Sequence, residues 1–208
     1  MNRDTSTVFV VDDDPSVRRS LKRLVQAMGH VVETFASAEE YLCRGPREGD
    51  ACLVLDQCMP GLSGLELQAV LRTERDPPPI VFLTGYGDVP TSVTAMKRGA
   101  VDFLQKPVEE EALEAAIRSA LERDRATRTE RRRACEIGRR LATLTRRERA
   151  VLERVIAGQI NKQVAVEFGI AEKTVKVHRG RVMQKMQVGS LAELVRDCEL
   201  AGVIPRGS

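Results

Sequence analysis

No apolar run in this chain approaches the roughly 20 residues that a membrane-crossing helix requires, so a spanning segment is excluded. Proline is absent from Val108 until Pro205, which leaves the second half of the chain free of the residue that breaks helices. Cysteine is sparse and unpatterned. Cys43, Cys52, Cys58, Cys135 and Cys198 are odd in number, scattered, and never in a C-x-x-C arrangement. That excludes a disulfide framework or a zinc site and points to a reducing compartment. The start, Asn2-Arg3-Asp4-Thr5, is polar and leads straight into a strand-like run. No secretory signal is expected there, and the expected location is cytoplasmic. The closing Ile204-Pro205-Arg206-Gly207-Ser208 faintly resembles a protease-site scar and receives no functional weight.

Charge is spread unevenly over the 208 residues. Residues 1–108 carry twelve Lys and Arg against fifteen Asp and Glu, whereas residues 145–190 carry ten against four. An acidic first half and a short basic block suggest two domains with different partners, the second of them polyanionic.

The first half alternates short apolar runs with helical periodicity. Val8–Val11, His30–Phe35, Cys52–Leu55, Ile80–Leu83 and Val101–Leu104 read as strands. Between them, Ser16–Met28, Ala38–Cys43, Gly64–Glu74 and Thr91–Arg98 read as helices, with Gly29 and the Pro77-Pro78-Pro79 triplet as stops. Five β/α units imply a parallel sheet with helices on both faces. Right-handed crossovers then bring every strand's carboxyl end to one side. At that edge the sequence places Asp12-Asp13-Asp14, Asp56 before a Met-Pro-Gly turn, Thr84-Gly85, and Gln105-Lys106-Pro107. Acids, a hydroxyl and an amine on one edge suit a metal ion and a phosphoryl group.

Four separated stretches in order carry a family resemblance: V-V-D-D-D-P-S-V-R at 10–18, V-L-D-Q-C-M-P-G-L-S-G at 54–64, T-G-Y-G-D at 84–88 and L-Q-K-P at 104–107. They resemble the receiver domain of two-component response regulators. The resemblance implies that Asp56 accepts a phosphoryl group from a histidine kinase. It implies Mg²⁺ (or Mn²⁺) held by Asp12, Asp13, Asp56 and the backbone carbonyl of Cys58, with Asp12 acting through a water. Lys106, ahead of a cis proline, would contact the phosphoryl group. Thr84 would move toward it and Phe103 would rotate inward, changing the surface formed by residues 89–107 and promoting a homodimer. Phe103 lacks the hydroxyl many relatives carry there, and a plain core role suits it equally. A phosphatase of the haloacid-dehalogenase type also reads a D-x-D motif at Asp12 and Asp14, but it leaves Asp56 and its turn unexplained. Asp14 before Pro15 reads more simply as a helix cap.

From Val108 to Leu121 the apolar positions Leu113, Ala116, Ile117, Ala120 and Leu121 share a helical face. Glu122–Arg133 is almost entirely charged and reads as a solvated helix or frayed linker, with a break expected at Gly138. A capping box, Thr145 to Glu148, opens a helix that closes at Gly158. Asn161 is expected to cap a second helix ended by Gly169. A third follows over Glu172–Met186 and a fourth over Ser190–Leu200. Two helices around a tight turn, the second one basic, describe a helix-turn-helix.

This whole stretch resembles the LuxR-type DNA-binding domain. Val175, Val182 and Met186 fall on the core face of the third helix. Lys173, Lys176, Val177 and Arg181 point elsewhere, and Val177 suits a thymine methyl. The resemblance implies that Lys176 and Val177 read bases while Thr174 and Asn161 or Lys162 position phosphates. Gly180 departs from the pattern, because relatives often read bases with a lysine there. Glycine within a helix costs roughly 1 kcal/mol against alanine; it leaves either close approach or a changed base preference, with Arg179 and Arg181 as substitutes. His178 is expected half-buried.

The fold class that follows is α/β: a doubly wound five-stranded parallel sheet, a flavodoxin-like receiver, then a small all-α helix-turn-helix domain. The expected limits are receiver 1–121, charged helical linker 122–143 and DNA-binding domain 144–208. Taken together, the resemblances imply a response regulator of the FixJ/NarL subfamily, not an enzyme beyond self-phosphotransfer and autodephosphorylation. Its expected partners are a cognate histidine kinase, double-stranded promoter DNA and RNA polymerase, with no membrane. The alternative is a phosphorylation-independent DNA-binding regulator whose receiver serves only to dimerise.

Overall fold

The computed structural model describes residues 6–85 and 89–203. It divides after Arg128 into two compact units. In the first, strands β1 (Thr7–Val11), β2 (Val31–Phe35), β3 (Ala51–Asp56), β4 (Ile80–Thr84) and β5 (Asp102–Gln105) form one sheet in the order β2-β1-β3-β4-β5. Every pairing is parallel, so crossovers alternate with helices: α1 (Pro15–Ala27), α2 (Ala38–Leu42), α3 (Gly64–Leu71), α4 (Val89–Lys97) and α5 (Glu110–Ala142).

Strand side chains alternate between two cores. Val8, Val10, Cys52, Val54, Val81 and Leu83 pack with α1 and with Leu113, Ile117 and Leu121 of α5. Phe9, Val11, Leu53, Leu55 and Phe82 pack on the other face with Tyr41, Leu67 and Ala95. All six residues of β3 are buried, as a strand covered on both sides must be. Asp14 caps α1, its Oδ1 accepting from Ser16 N at 2.7 Å, with Pro15 in the first turn. Ser63 and Glu66 close a reciprocal capping box on α3.

Helix α5 differs from expectation at two places. It runs through Gly138 without a break, held on either side by Ile137 and Leu141, which are buried in the core of the second unit. Packing outweighs the weak helix propensity of a single glycine. The charged stretch that follows Leu121 is also not fully solvated. Asp124 is 1% exposed and accepts a bidentate bond from Arg47, at 2.7 and 2.8 Å, plus the N–H of Ala51 at 2.9 Å. Asp76 extends the cluster, meeting Arg47 at 3.0 Å and Arg128 at 3.1 Å.

The second unit contains α6 (Arg146–Ile156), α7 (Asn161–Phe168), α8 (Glu172–Met186) and α9 (Leu191–Leu200). Val151, Leu152, Val164, Val175, Val182, Met186 and Leu194 form its core. The expected cap moves by one residue. Ile160 is the N-cap of α7 and Asn161 its first helical residue, while the Gln163 side chain accepts from Ile160 N at 2.9 Å. Gly169 ends α7 in the left-handed region at φ 63°, which permits the tight turn into α8. No helix among the described residues is long and apolar enough to cross a membrane. Residues 204–208 lie outside the described residues.

Removing one partner of a buried ion pair strands the other. Asp124→Ala is therefore expected to destabilise the first unit by about 3 kcal/mol or more in urea unfolding. A loss below about 1 kcal/mol, the range of exposed pairs, would show that Asp76 and water suffice for Arg47.

Candidate functional site

The sheet order reverses between β1 and β3, and the strand ends there carry the chemistry. Asp12 follows β1, Asp56 ends β3, Thr84 ends β4, and Lys106 follows β5. The carboxylates of Asp12, Asp13 and Asp56 offer oxygens within 4.8 Å of one another. Asp12 and Asp56 are buried, at 1% and 6% exposure, while Asp13 is exposed. The Lys106 ammonium bridges the buried pair, donating to Asp12 Oδ2 at 2.6 Å and Asp56 Oδ2 at 2.7 Å.

Backbone contacts fix these groups. Lys106 N donates to the Thr84 carbonyl at 2.7 Å, and the Lys106–Pro107 bond is cis. Asp14 N donates to Asp12 Oδ1 at 2.9 Å, and Cys58 N to Asp56 Oδ1 at 3.2 Å. Arg18 grips the Asp12 carbonyl at 2.6 Å. Burial pushes the Asp12 carboxyl above its ordinary value, against the opposing pull of Lys106. Burial also opposes the charge on Lys106, but hydrogen bonds to Asp12 and Asp56 outweigh it and hold the amine above its ordinary value. Two carboxylates thus share one ammonium, and a third, Asp13, offers its oxygens beside them. Their hard oxygen donors suit a divalent cation such as Mg²⁺.

Thr84 is completely buried at the strand end. Phe103 is half-buried, packing on the core beside Phe82 with ring centroids 5.9 Å apart. Cys58 is exposed. Of the T-G-Y-G-D motif, residues 86–88 lie outside the described residues. Asp14 is turned to capping α1, away from the acid role that the phosphatase reading requires. Gly64 received no role in the sequence, although it closes the quoted 54–64 motif. A Cβ there would stand 2.4 Å from the Asp56 carbonyl and 3.1 Å from the Phe82 ring. Only glycine lets α3 start against the end of β3.

In the second unit, Lys173, Thr174, Lys176, Val177 and Arg181 are exposed on α8. Val177 is 48% exposed among these cations. Lys162 is exposed at the start of α7, while Asn161 is half-buried and accepts from Arg179 Nη1 at 3.3 Å. Arg179 therefore leans toward α7. His178 is half-buried, as its position suggested. Sequence reasoning passed over a further contact. Glu148, 2% exposed, accepts from Lys185 Nζ of α8 at 2.7 Å and from Thr145 N at 2.9 Å. Lys185 also reaches the Thr143 carbonyl at 3.0 Å. These bonds pin α8 to the start of α6, and they hold the Glu148 pKa down at about 2.

Residues 8–118 match the family described as response regulator receiver domain, and residues 142–197 match bacterial regulatory proteins of the luxR family. Nodulation protein W of Bradyrhizobium diazoefficiens is 48% identical over 196 residues, spanning 94% of this chain and 86% of that protein. Transcriptional regulatory protein FixJ of Azorhizobium caulinodans is 44% identical over 198 residues, spanning 95% and 94% respectively. Among solved structures, the response regulator StyR is similar at 49% identity with a TM-score of 0.81, covering 94% of this chain and 98% of that one.

The depressed Glu148 pKa makes stability depend on acid. The unfolded chain takes up this proton near the ordinary 4.5 and the folded one only near 2, so the stabilisation is complete above the first value and lost as pH falls through the second. Glu148→Gln is expected to flatten the stability profile of the second unit across that window. An acid-unfolding curve parallel to the wild type's would contradict this role.

Proposed function

The chain belongs to the response regulators that join a receiver domain to a LuxR-type DNA-binding domain, and from that premise we propose that Asp56 is the phosphoacceptor through which a histidine kinase controls binding to promoter DNA. The observation that carries this reading is the Lys106 ammonium lying between Asp12 and Asp56 at 2.6 and 2.7 Å. A carboxylate oxygen of Asp56 attacks phosphorus, the bond to the kinase histidine breaks, and an acyl phosphate forms. Lys106 then donates to a phosphoryl oxygen, a charge-assisted contact. The fully buried Thr84, fixed to Lys106 through its carbonyl, supplies the hydroxyl that answers the new charge.

Asp12, Asp13, Asp56 and the carbonyl of Cys58 would hold Mg²⁺ (or Mn²⁺). Bound there, the ion supplies positive charge that lets an anionic nucleophile meet an anionic phosphoryl group. Phosphorylation adds up to two negative charges at this edge. Half-buried Phe103, on β5 beside the strand that ends at Thr84, passes the change to the face of α4 and β5. That face dimerises, and the dimer places two copies of α8 in successive major grooves, about one helical turn apart. Lys176 and Val177 read base edges, Thr174, Lys173, Lys162 and Arg181 face the duplex backbone, and Arg179 orients Asn161. The regulator acts in the cytoplasm on RNA polymerase. Self-phosphotransfer and autodephosphorylation at Asp56 are its only chemistry. Residues 1–121 form the receiver, 122–143 a helical linker, and 144–208 the DNA-binding domain.

Acetyl phosphate with Mg²⁺ is expected to promote dimerisation of the wild type in light scattering, and to tighten DNA binding at least tenfold, a gain of about 1.4 kcal/mol. Asp56→Asn should abolish both effects. Equal promotion in the two proteins would leave a regulator that ignores phosphorylation and uses its receiver only to dimerise. Lys176→Ala should cost about 1–3 kcal/mol on a specific duplex and far less on random DNA. Equal losses on the two would demote Lys176 to a phosphate contact.

A further inference from the structure

We propose that Gly180 marks the closest approach of α8 to DNA, a gap on the reading face that admits the methyl group of a thymine; the proposal rests on α8 being the base-contacting helix. Glycine is a poor helix former, yet Gly180 stands in the interior of Glu172–Met186. Nothing among the described residues requires it there. Its φ is not among the positive values, and a Cβ built at this position would meet no atom within 4 Å. Gly64, by contrast, is held by a 2.4 Å approach to backbone, and Gly169 by its left-handed φ. The domain therefore carries a helix-weakening residue with no internal compensation.

Its place on the helix says what the gap faces. At 3.6 residues per turn, Lys173, Val177, Gly180 and Gln184 recur along one stripe, opposite the buried Val175, Val182 and Met186. All four are exposed. Of the two adjacent cations, Arg179 is turned away to Asn161, and Arg181 projects about 100° further around the helix. A bare stretch of backbone beside the half-exposed Val177 is apolar and shallow. Neither Gly180 nor Val177 carries a side-chain donor for the acceptors of guanine, whereas the C5 methyl of thymine projects into the major groove as an apolar knob. The partner is thus an A·T pair whose thymine methyl lies between Val177 and the Gly180 backbone.

The test uses the full chain, with acetyl phosphate and Mg²⁺ present, to select duplexes from a random pool. Gly180→Ala is expected to raise the melting temperature of the second unit by about 4 °C, as a better helix former should. It should nonetheless weaken the selected duplex about tenfold, the scale of one mismatched base pair, and leave random DNA unaffected. Replacing thymines one at a time with deoxyuridine should reveal one position that weakens the wild type and restores the Ala variant. Gly138→Ala, another interior helical glycine with no Cβ neighbour, should stabilise without changing DNA selection. Unchanged affinity and selection in Gly180→Ala, or equal losses on specific and random DNA, would overturn the proposal. Unchanged selection in Lys176→Ala would instead bring down base reading by α8 itself.

Discussion

One shared proton donor organises the first half of this protein. Asp12 and Asp56 come from adjacent parallel strands, and their buried carboxylates lie close enough to repel each other. The ammonium of Lys106, delivered from the far edge of the sheet, lies between them. A buried pair of this kind breaks even at best against desolvation, and here a third acid, Asp13, remains nearby without a hydrogen bond to that amine. The site is therefore balanced for something other than rest. It has spare negative charge for a cation, and a lysine that a more strongly charged oxygen can claim. The backbone bond from Lys106 to Thr84 means that the two groups cannot respond independently.

The second half is built on a different logic. There the fold must present one helix rather than close a pocket. Val175, Val182 and Met186 bury one side of α8, and the Glu148–Lys185 pair secures its carboxyl end against the start of α6. With its inner side and its end both fixed, the outward face carries only a solvent-exposed i,i+4 pair, Glu172–Lys176 at 3.4 Å, worth little to the fold. Lys173, Lys176 and Val177 are then available to a partner, which is why exposed apolar and cationic groups coexist there.

What could be read from the chain, and what could not, follows from the range of the interactions. The strands and the acids at their ends were legible, because apolar runs that stop at Asp12, Asp56 and Thr84 are local signals. So were α8 and the Thr145 capping box, whose partners lie within a turn. Asp124 was not, since its partners Arg47 and Ala51 are more than 70 residues away in sequence and local pattern gives only a charged stretch. Gly138 was misjudged as a break for the same reason, as the packing of Ile137 and Leu141 is tertiary. Asn161 looked like a cap by residue type, yet the Gln163 side chain serves the preceding N–H, so Ile160 is the N-cap and Asn161 the first helical residue. Gly64 stood inside a quoted motif, but its necessity appears only when α3 is seen abutting the Asp56 carbonyl.

The strand that ends at Asp56 begins at Ala51, whose N–H is held by Asp124 from helix α5. Anyone excising the first half of this protein at residue 121 would cut away that carboxylate. Arg47 would lose its bidentate partner and keep only the half-exposed Asp76, and the amino end of the central strand would lose its anchor. A soluble fragment for spectroscopy or crystallisation should therefore carry the helix on through Arg128, where Asp76 finds its second guanidinium.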